Sequence, residues 1–208
     1  MNKEEIAKIL LRIKAVTLSI NPSYTWVSGI LAPIYTDNRL IMSYPEERKK
    51  ILKAFIKTIR ENEIKVDAIA GIATSGIPWA AWIAHELNIP MVYVRKKSKE
   101  HGKQNLIEGK LEKRKNVVVI EDLISTGGSS INGVEAARAA GCNVDYCLAI
   151  FTYELEKAKK NFKKADVKLI TLTDFTTLVD VAIKEKYLNN NEKEKVLAWS
   201  KNPEKWGK

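Results

Sequence analysis

The most chemically loaded stretch of this chain is a pair of carboxylates followed at once by small residues: Glu121, Asp122, Leu123, Ile124, Ser125, Thr126, Gly127, Gly128, Ser129 and Ser130. Ahead of it stand Val117, Val118, Val119 and Ile120, apolar and β-branched without alternation, the pattern of a strand covered on both faces in a parallel sheet. Behind it a helical pattern runs from near Ile131 to Ala140. Small residues at a strand-to-helix turn let successive N–H groups face one concavity, and the helix adds the positive end of its dipole, so the turn reads as a phosphate cradle. Acids next to a bare phosphate would repel it, which points to a ligand that also carries hydroxyls or a metal, such as a phosphorylated sugar. Neither G-x-x-x-x-G-K-[ST] nor G-x-G-x-x-G is present here, which removes the usual signatures of mononucleotide hydrolysis and dinucleotide binding. The plainer alternative makes the two acids ordinary turn residues, although a strand's carboxyl end is where open α/β sheets bind ligands.

A second turn of the same kind, Ala73-Thr74-Ser75-Gly76, follows an apolar strand at Asp67 to Ile72 and precedes a helix from about Ile77 to Leu87. Two such turns at one sheet edge could grip two ends of one ligand; read more plainly, the second is an ordinary connection. A further strand, Met91 to Val94, runs into Arg95, Lys96, Lys97, Ser98, Lys99, Glu100, His101, Gly102 and Lys103, and the stretch to about residue 110 has no apolar periodicity. Composition leaves two readings of it open, a mobile lid and a solvated basic loop.

These turns need a scaffold, and the remaining pattern supplies one. Asn2 and Glu5 make a helix-starting pair, and Ile6, Ile9, Leu10, Ile13 and Val16 continue an amphipathic helix to about Thr17. Residues 21 to 43 break that period with Pro22, Gly29 and Pro33 and read as a small subdomain with short strands at Tyr24 to Val27 and Ile34 to Tyr35. Pro45, Glu46 and Glu47 open a second helix whose buried stripe is Ile51, Leu52, Phe55, Ile56 and Ile59. Trp79 and Trp82 read as core or subunit-interface residues. Beyond the cradle, strands at Val144 to Phe151 and Val167 to Leu172 alternate with helices at about Glu154 to Phe162, Phe175 to Tyr187 and Asn191 to Ser200, with a polar tail from Asn202. Strand–helix alternation predicts an α/β fold: one domain, 1–208, with a parallel central sheet flanked by helices on both faces.

Composition narrows the function classes. The 208 residues are 45% hydrophobic and 29% charged, which suits one globular core and excludes a disordered chain. The start, Met1-Asn2-Lys3-Glu4-Glu5, is expected to be neither a signal peptide nor an anchor, so no membrane partner is expected. Cys142 and Cys147 have no Cys or His neighbours at zinc spacing and read as reduced thiols of a cytoplasmic protein, Cys147 in the core. The net charge of +10 invites a nucleic-acid reading, but between Arg95 and Lys115 nine basic residues stand against three acids, which places much of the excess beside the cradle. That placement suits a pyrophosphate-bearing ligand at least as well as a polynucleotide, and on the former reading no nucleic-acid partner is expected.

With these residues in view, Val117 to Ser130 resembles the phosphoribosyl pyrophosphate (PRPP) signature of the type I phosphoribosyltransferases. The run Trp26-Val27-Ser28-Gly29-Ile30-Leu31-Ala32-Pro33-Ile34-Tyr35-Thr36-Asp37-Asn38-Arg39 resembles the amino-terminal signature of the orotate-specific branch, and Arg95, Lys96, Lys99, His101 and Gly102 resemble its flexible loop. The resemblance implies the type I phosphoribosyltransferase fold, with residues 18–43 as a hood over the base and 95–110 as a mobile lid. It implies transfer of the ribose 5-phosphate group of PRPP to orotate, giving orotidine 5′-monophosphate and pyrophosphate in pyrimidine biosynthesis. Lys99, Asp122 and His101 would be catalytic. PRPP would meet Arg95, Lys96, Lys99, His101, Glu121, Asp122, Leu123, Ile124, Ser125, Thr126, Gly127, Gly128, Ser129, Thr74 and Ser75. Orotate would meet Ser125, Tyr35 and Arg39. Mg²⁺ would be held mainly by PRPP, with Asp122 a possible ligand, and a homodimer would bring each lid to its neighbour's site.

Three departures from the family pattern remove positive charge: Val27 stands where a lysine is common, Thr74-Ser75 replaces the pyrophosphate-loop lysine, and no arginine follows Phe151 in Thr152-Tyr153. Arg39 is expected to compensate. Ser125 occupies a loop position where purine-specific members usually carry aspartate, and orotate, reacting as an anion, does not need that acid. The alternatives are transfer to another nucleobase, and a non-catalytic PRPP sensor that binds nucleic acid.

Overall fold

The computed structural model describes residues 1–26, 28–95 and 106–206. Helix α1 (Lys3–Arg12) begins at the predicted capping box: Asn2 accepts from the Glu5 N–H while Glu5 accepts from the Asn2 N–H. It stops short of the predicted Thr17, because Lys14 turns into the left-handed region (φ 58°) and Val16, predicted to extend the helical stripe, opens strand β1 (Val16–Leu18) instead. Three short strands follow, β2 (Tyr24–Thr25), β3 (Leu31–Ala32) and β4 (Ile34–Thr36), in two antiparallel pairs, β1 with β4 and β2 with β3. They form the predicted small subdomain outside the main sheet; Val27 lies outside the described residues.

A 3-10 turn (Asn38–Ser43) leads to α2 (Pro45–Glu61), with proline in its first turn as expected. Then come β5 (Ala68–Ile72), α3 (Gly76–Leu87), β6 (Met91–Val94), β7 (Ile107–Glu108), β8 (Asn116–Ile124), α4 (Gly128–Ala139), β9 (Asn143–Thr152), α5 (Glu156–Lys164), β10 (Lys168–Asp174), α6 (Phe175–Lys184) and α7 (Lys193–Lys201). The main sheet has the order β10-β9-β8-β5-β6-β7 and is parallel except for the edge pair β6–β7. Within the stretch 95–110, expected to be a lid, residues 107 and 108 are instead ladder partners of Val94 and Tyr93, and the Arg95 N–H donates to the Leu106 carbonyl; residues 96–105 lie outside the described residues.

Both faces of the sheet are covered, as the continuous apolar strands require. Along β8, Val118 and Ile120 enter the core shared with α1, α2, α3, α6 and α7, whereas Val117 and Val119 enter the core beneath α4 and α5. Cys142 and Cys147 are free and buried, Cys147 fully. Among the described residues no helix is long and apolar enough to cross a membrane.

The small subdomain is tied down from the far end of the chain. Trp199 of α7 donates its indole N–H to the Leu31 carbonyl (3.2 Å) and packs edge-on to Trp26, Tyr153 and Phe175. Trp206, in the stretch predicted to be a polar tail, donates to the Ser23 hydroxyl at 3.0 Å.

Candidate active site

The chain winds from β5 to β6 in one direction and returns to place β8 on the other side of β5. The carboxyl ends of β5 and β8 therefore flank the switch point at which open α/β sheets bind ligands. A cavity of about 260 Å³ opens there, lined by Ala73, Thr74 and Ser75 after β5, by Glu121, Asp122 and Leu123, by Ser129, and by Thr36 to Arg39. The two predicted small-residue turns do meet at one edge.

The acids do not end β8, as their polarity predicts; the strand runs on to Ile124 because Leu123 and Ile124 pair with Phe151 and Thr152 of β9. Glu121 turns towards α4, where its Oε2 accepts from the Ser129 hydroxyl (3.1 Å) and its Oε1 from the Asp122 N–H (3.2 Å). Asp122 turns towards the subdomain, within the electrostatic reach of Arg39. Burial raises both carboxyls, and burial together with the Asp122 charge pushes Glu121 up to about 9, so the ligand-free pair holds a proton at neutral pH. Ile124 is 1% exposed; its side chain belongs to the core, and its carbonyl accepts the Tyr153 N–H.

Helix α4 begins at Gly128, three residues earlier than predicted, so Gly128, Ser129 and Ser130 form its first turn. N–H groups in a first turn have no intrahelical acceptor and are free for an anion. The cap residue, Gly127, has φ 77°, and a Cβ there would lie 2.7 Å from Phe162, so both conformation and space demand glycine. Asn161 of α5 fixes the same turn by donating to the Thr126 carbonyl (2.9 Å). On the opposite wall a Cβ on Gly76 would stand 2.5 Å from the Ile120 carbonyl oxygen, which measures how tightly the Thr74-Ser75 turn is pressed onto β8.

A second cavity of about 360 Å³ adjoins the first, sharing Thr36 and Leu123; its other walls are Thr25, Trp26, Ser28, Tyr35, Ser125 and Tyr153. Ser125 and Tyr35, predicted to contact the base, meet here. Arg39, predicted with them, does not: it lines the acid cavity and pairs with Asp37 through Nε–Oδ1 (2.7 Å) and a terminal nitrogen to Oδ2 (2.9 Å). Arg95 lies beyond Ser129 in a third recess and reaches Glu108 at 3.4 Å. Lys96, Lys99 and His101 lie outside the described residues.

Two residues escaped the sequence reading. Asn38, 1% exposed, donates from Nδ2 to the Asp122 carbonyl at 2.8 Å and ties the subdomain to the acid strand. Tyr153 lies at the wall of the second cavity. Asn38 sat inside the recognised amino-terminal run, but nothing local marks its partner in β8.

Among the described residues, no group of three His, Cys, Asp or Glu could hold a metal ion. Two adjacent carboxylates beside a phosphate cradle do suit Mg²⁺ that arrives with ligand oxygens already bound.

A family model described as phosphoribosyl transferase domain matches residues 44–186, which include every parallel strand of the main sheet. The orotate phosphoribosyltransferase of Coxiella burnetii (strain RSA 493 / Nine Mile phase I) is 52% identical over 202 residues, 97% of either chain. Among solved structures, UMP synthase of Leishmania donovani aligns with a TM-score of 0.80 and 27% identity over 95% of this chain, which spans 42% of that longer one. Orotate phosphoribosyltransferase from Aeropyrum pernix aligns with a TM-score of 0.77 and 27% identity, covering 88% of this chain and 99% of its own. Likeness of this depth along nearly the whole chain agrees with what the strand ends and their turns require, and the chain belongs to the orotate phosphoribosyltransferase family.

Proposed function

We propose that this chain transfers the ribose 5-phosphate group of PRPP to orotate, releasing pyrophosphate and forming orotidine 5′-monophosphate for pyrimidine biosynthesis. The observation that carries the proposal is the pair of joined cavities: one has an acid pair, the Thr74-Ser75 turn and Ser129 of the first turn of α4, the other has aromatic and hydroxyl walls, and Thr36 and Leu123 form the boundary. The anomeric carbon of the sugar would sit at that boundary, with the base on one side and the diphosphate on the other.

In this arrangement the first turn of α4 holds the 5-phosphate, the acids accept from the ribose hydroxyls, and Thr74 and Ser75 face the pyrophosphate. A ring nitrogen of orotate forms the new bond to the anomeric carbon as the bond to pyrophosphate oxygen breaks, and the leaving group takes the bonding electrons. Positive charge develops on the sugar, next to Glu121 and Asp122, whose carboxylates stabilise it. Mg²⁺, when bound with the diphosphate and Asp122, would neutralise the leaving group. Lys99 and His101 would donate to the pyrophosphate from a lid that excludes water, each lid serving the neighbouring subunit of a cytoplasmic homodimer.

The deciding experiment follows orotate absorbance with purified protein, PRPP and Mg²⁺, beside a panel of purine bases. PRPP- and Mg²⁺-dependent consumption of orotate supports the proposal. Consumption of another base instead would overturn the substrate, and turnover of none, with salt-sensitive nucleic-acid binding, would favour a sensor.

A further inference from the structure

We infer that this chain reads its base through neutral hydroxyl donors, with Tyr153 as the specificity-determining residue. The inference rests on the function proposed above and concerns how the second cavity recognises an anionic ring.

Of the eight residues lining that cavity, six carry hydroxyls: Thr25, Ser28, Tyr35, Thr36, Ser125 and Tyr153. The other two, Trp26 and Leu123, are apolar, and no charged side chain lines the cavity among the described residues. The nearest candidate cation, Arg39, is held by both oxygens of Asp37 on the acid side. A carboxylate entering such a site exchanges water for hydrogen bonds from hydroxyl groups, which are short and strong when the acceptor is ionised.

Tyr153 is the best prepared of the six. It is 3% exposed, and its ring is held by Trp26 (4.9 Å), Phe151 (5.5 Å) and Trp199 (5.5 Å), so its rotamer is set before any ligand arrives. Burial holds its phenol above the ordinary range, and it therefore remains a donor throughout the neutral pH region. The Thr36 hydroxyl, an interaction partner of the phenol, is itself buried without a well-formed hydrogen bond. Two hydroxyls are thus placed together on the wall of the cavity that would take the base. A hydroxyl site discriminates by geometry and by the penalty of an unpaired donor, not by long-range attraction.

The test is Tyr153→Phe, which keeps the aromatic cluster, with melting temperature as the folding control. The expected result is an orotate KM raised about tenfold or more, a PRPP KM within about twofold of wild type, and reduced preference for orotate over uracil, which lacks the carboxylate. The wild-type orotate KM should also change less than about twofold between low and high salt. An unchanged orotate KM in Tyr153→Phe, equal losses for both substrates, or a steep salt dependence of the orotate KM would overturn the inference. Calorimetric titration of orotate into both proteins separates the two claims: wild type that binds but does not consume orotate would remove the activity, while the Tyr153 comparison still decides the recognition.

Discussion

Replacing Glu121 by glutamine should make the ligand-free protein more stable at neutral pH while weakening its hold on PRPP. The exchange keeps the shape of the side chain, with an oxygen for the Asp122 N–H and an amide that can donate to the Ser129 hydroxyl. What it removes is a buried ionisable group. Folding raises Glu121 from 4.5 to about 9, so the folded state keeps a proton that the unfolded chain releases above about pH 4.5. Its stabilising contribution is complete below that pH and is lost progressively as pH climbs towards 9. At pH 7 the loss amounts to at most about 3.5 kcal/mol, at about 1.4 kcal/mol per pH unit over the 2.5 units above 4.5, and Asp122 shares the titration, so about 1–3 kcal/mol is the expected gain on substitution. For a chain of this size that corresponds to roughly 2–10 °C in melting temperature. Urea unfolding of wild type and Glu121→Gln, free of ligand and metal, should give similar midpoints near pH 5 and a clear advantage for the variant at pH 8. PRPP binding by the variant should weaken about tenfold or more, because a carboxylate is the stronger acceptor for ribose hydroxyls. A stability gap that does not grow with pH would refute the buried, protonated pair.

Gly76→Ala should lower stability by about 1–3 kcal/mol, since its Cβ meets backbone and not a movable side chain, and should raise the PRPP KM by shifting Thr74 and Ser75; urea midpoints and initial rates check both. Trp199→Ala should cost about 3–5 kcal/mol and raise the orotate KM more than the PRPP KM, because the ring anchors the subdomain through Leu31 and Trp26. Equal changes in the two KM values would show that the hood does not depend on α7. Mixing inactive Lys99→Ala and Asp122→Asn subunits should restore up to roughly a quarter of wild-type activity if each lid serves its partner, since half the dimers are hybrids with one intact site. No recovery after verified subunit exchange would return the lid to its own subunit.

What the sequence determined by itself was local. The β-branched run of β8, the capping box at Asn2, the proline opening α2 and the small residues after β5 and β8 each act within a few positions. They were enough to predict the alternation of strand and helix and a phosphate cradle at a strand end. The acid pair was marked by residue type and position at a strand end, whereas Ser125 and Tyr35 were picked out by the family resemblance, and the structure places both on one cavity wall. Tertiary structure decided what depends on partners remote in the chain. Pairing with β9 carries β8 past its acids, and both carboxylates come to line one cavity with residues from the subdomain and from the turn after β5. Asn38 finds the Asp122 carbonyl 84 positions away, and Trp199 and Trp206 hold the subdomain across 168 and 183 positions. The pairing of Arg39 with both oxygens of Asp37, on the acid side of the two cavities, is likewise a product of the folded backbone. Hydrophobic period and turn chemistry are written residue by residue, whereas register, burial and the meeting of distant polar groups exist only once the sheet has closed and its two faces are covered.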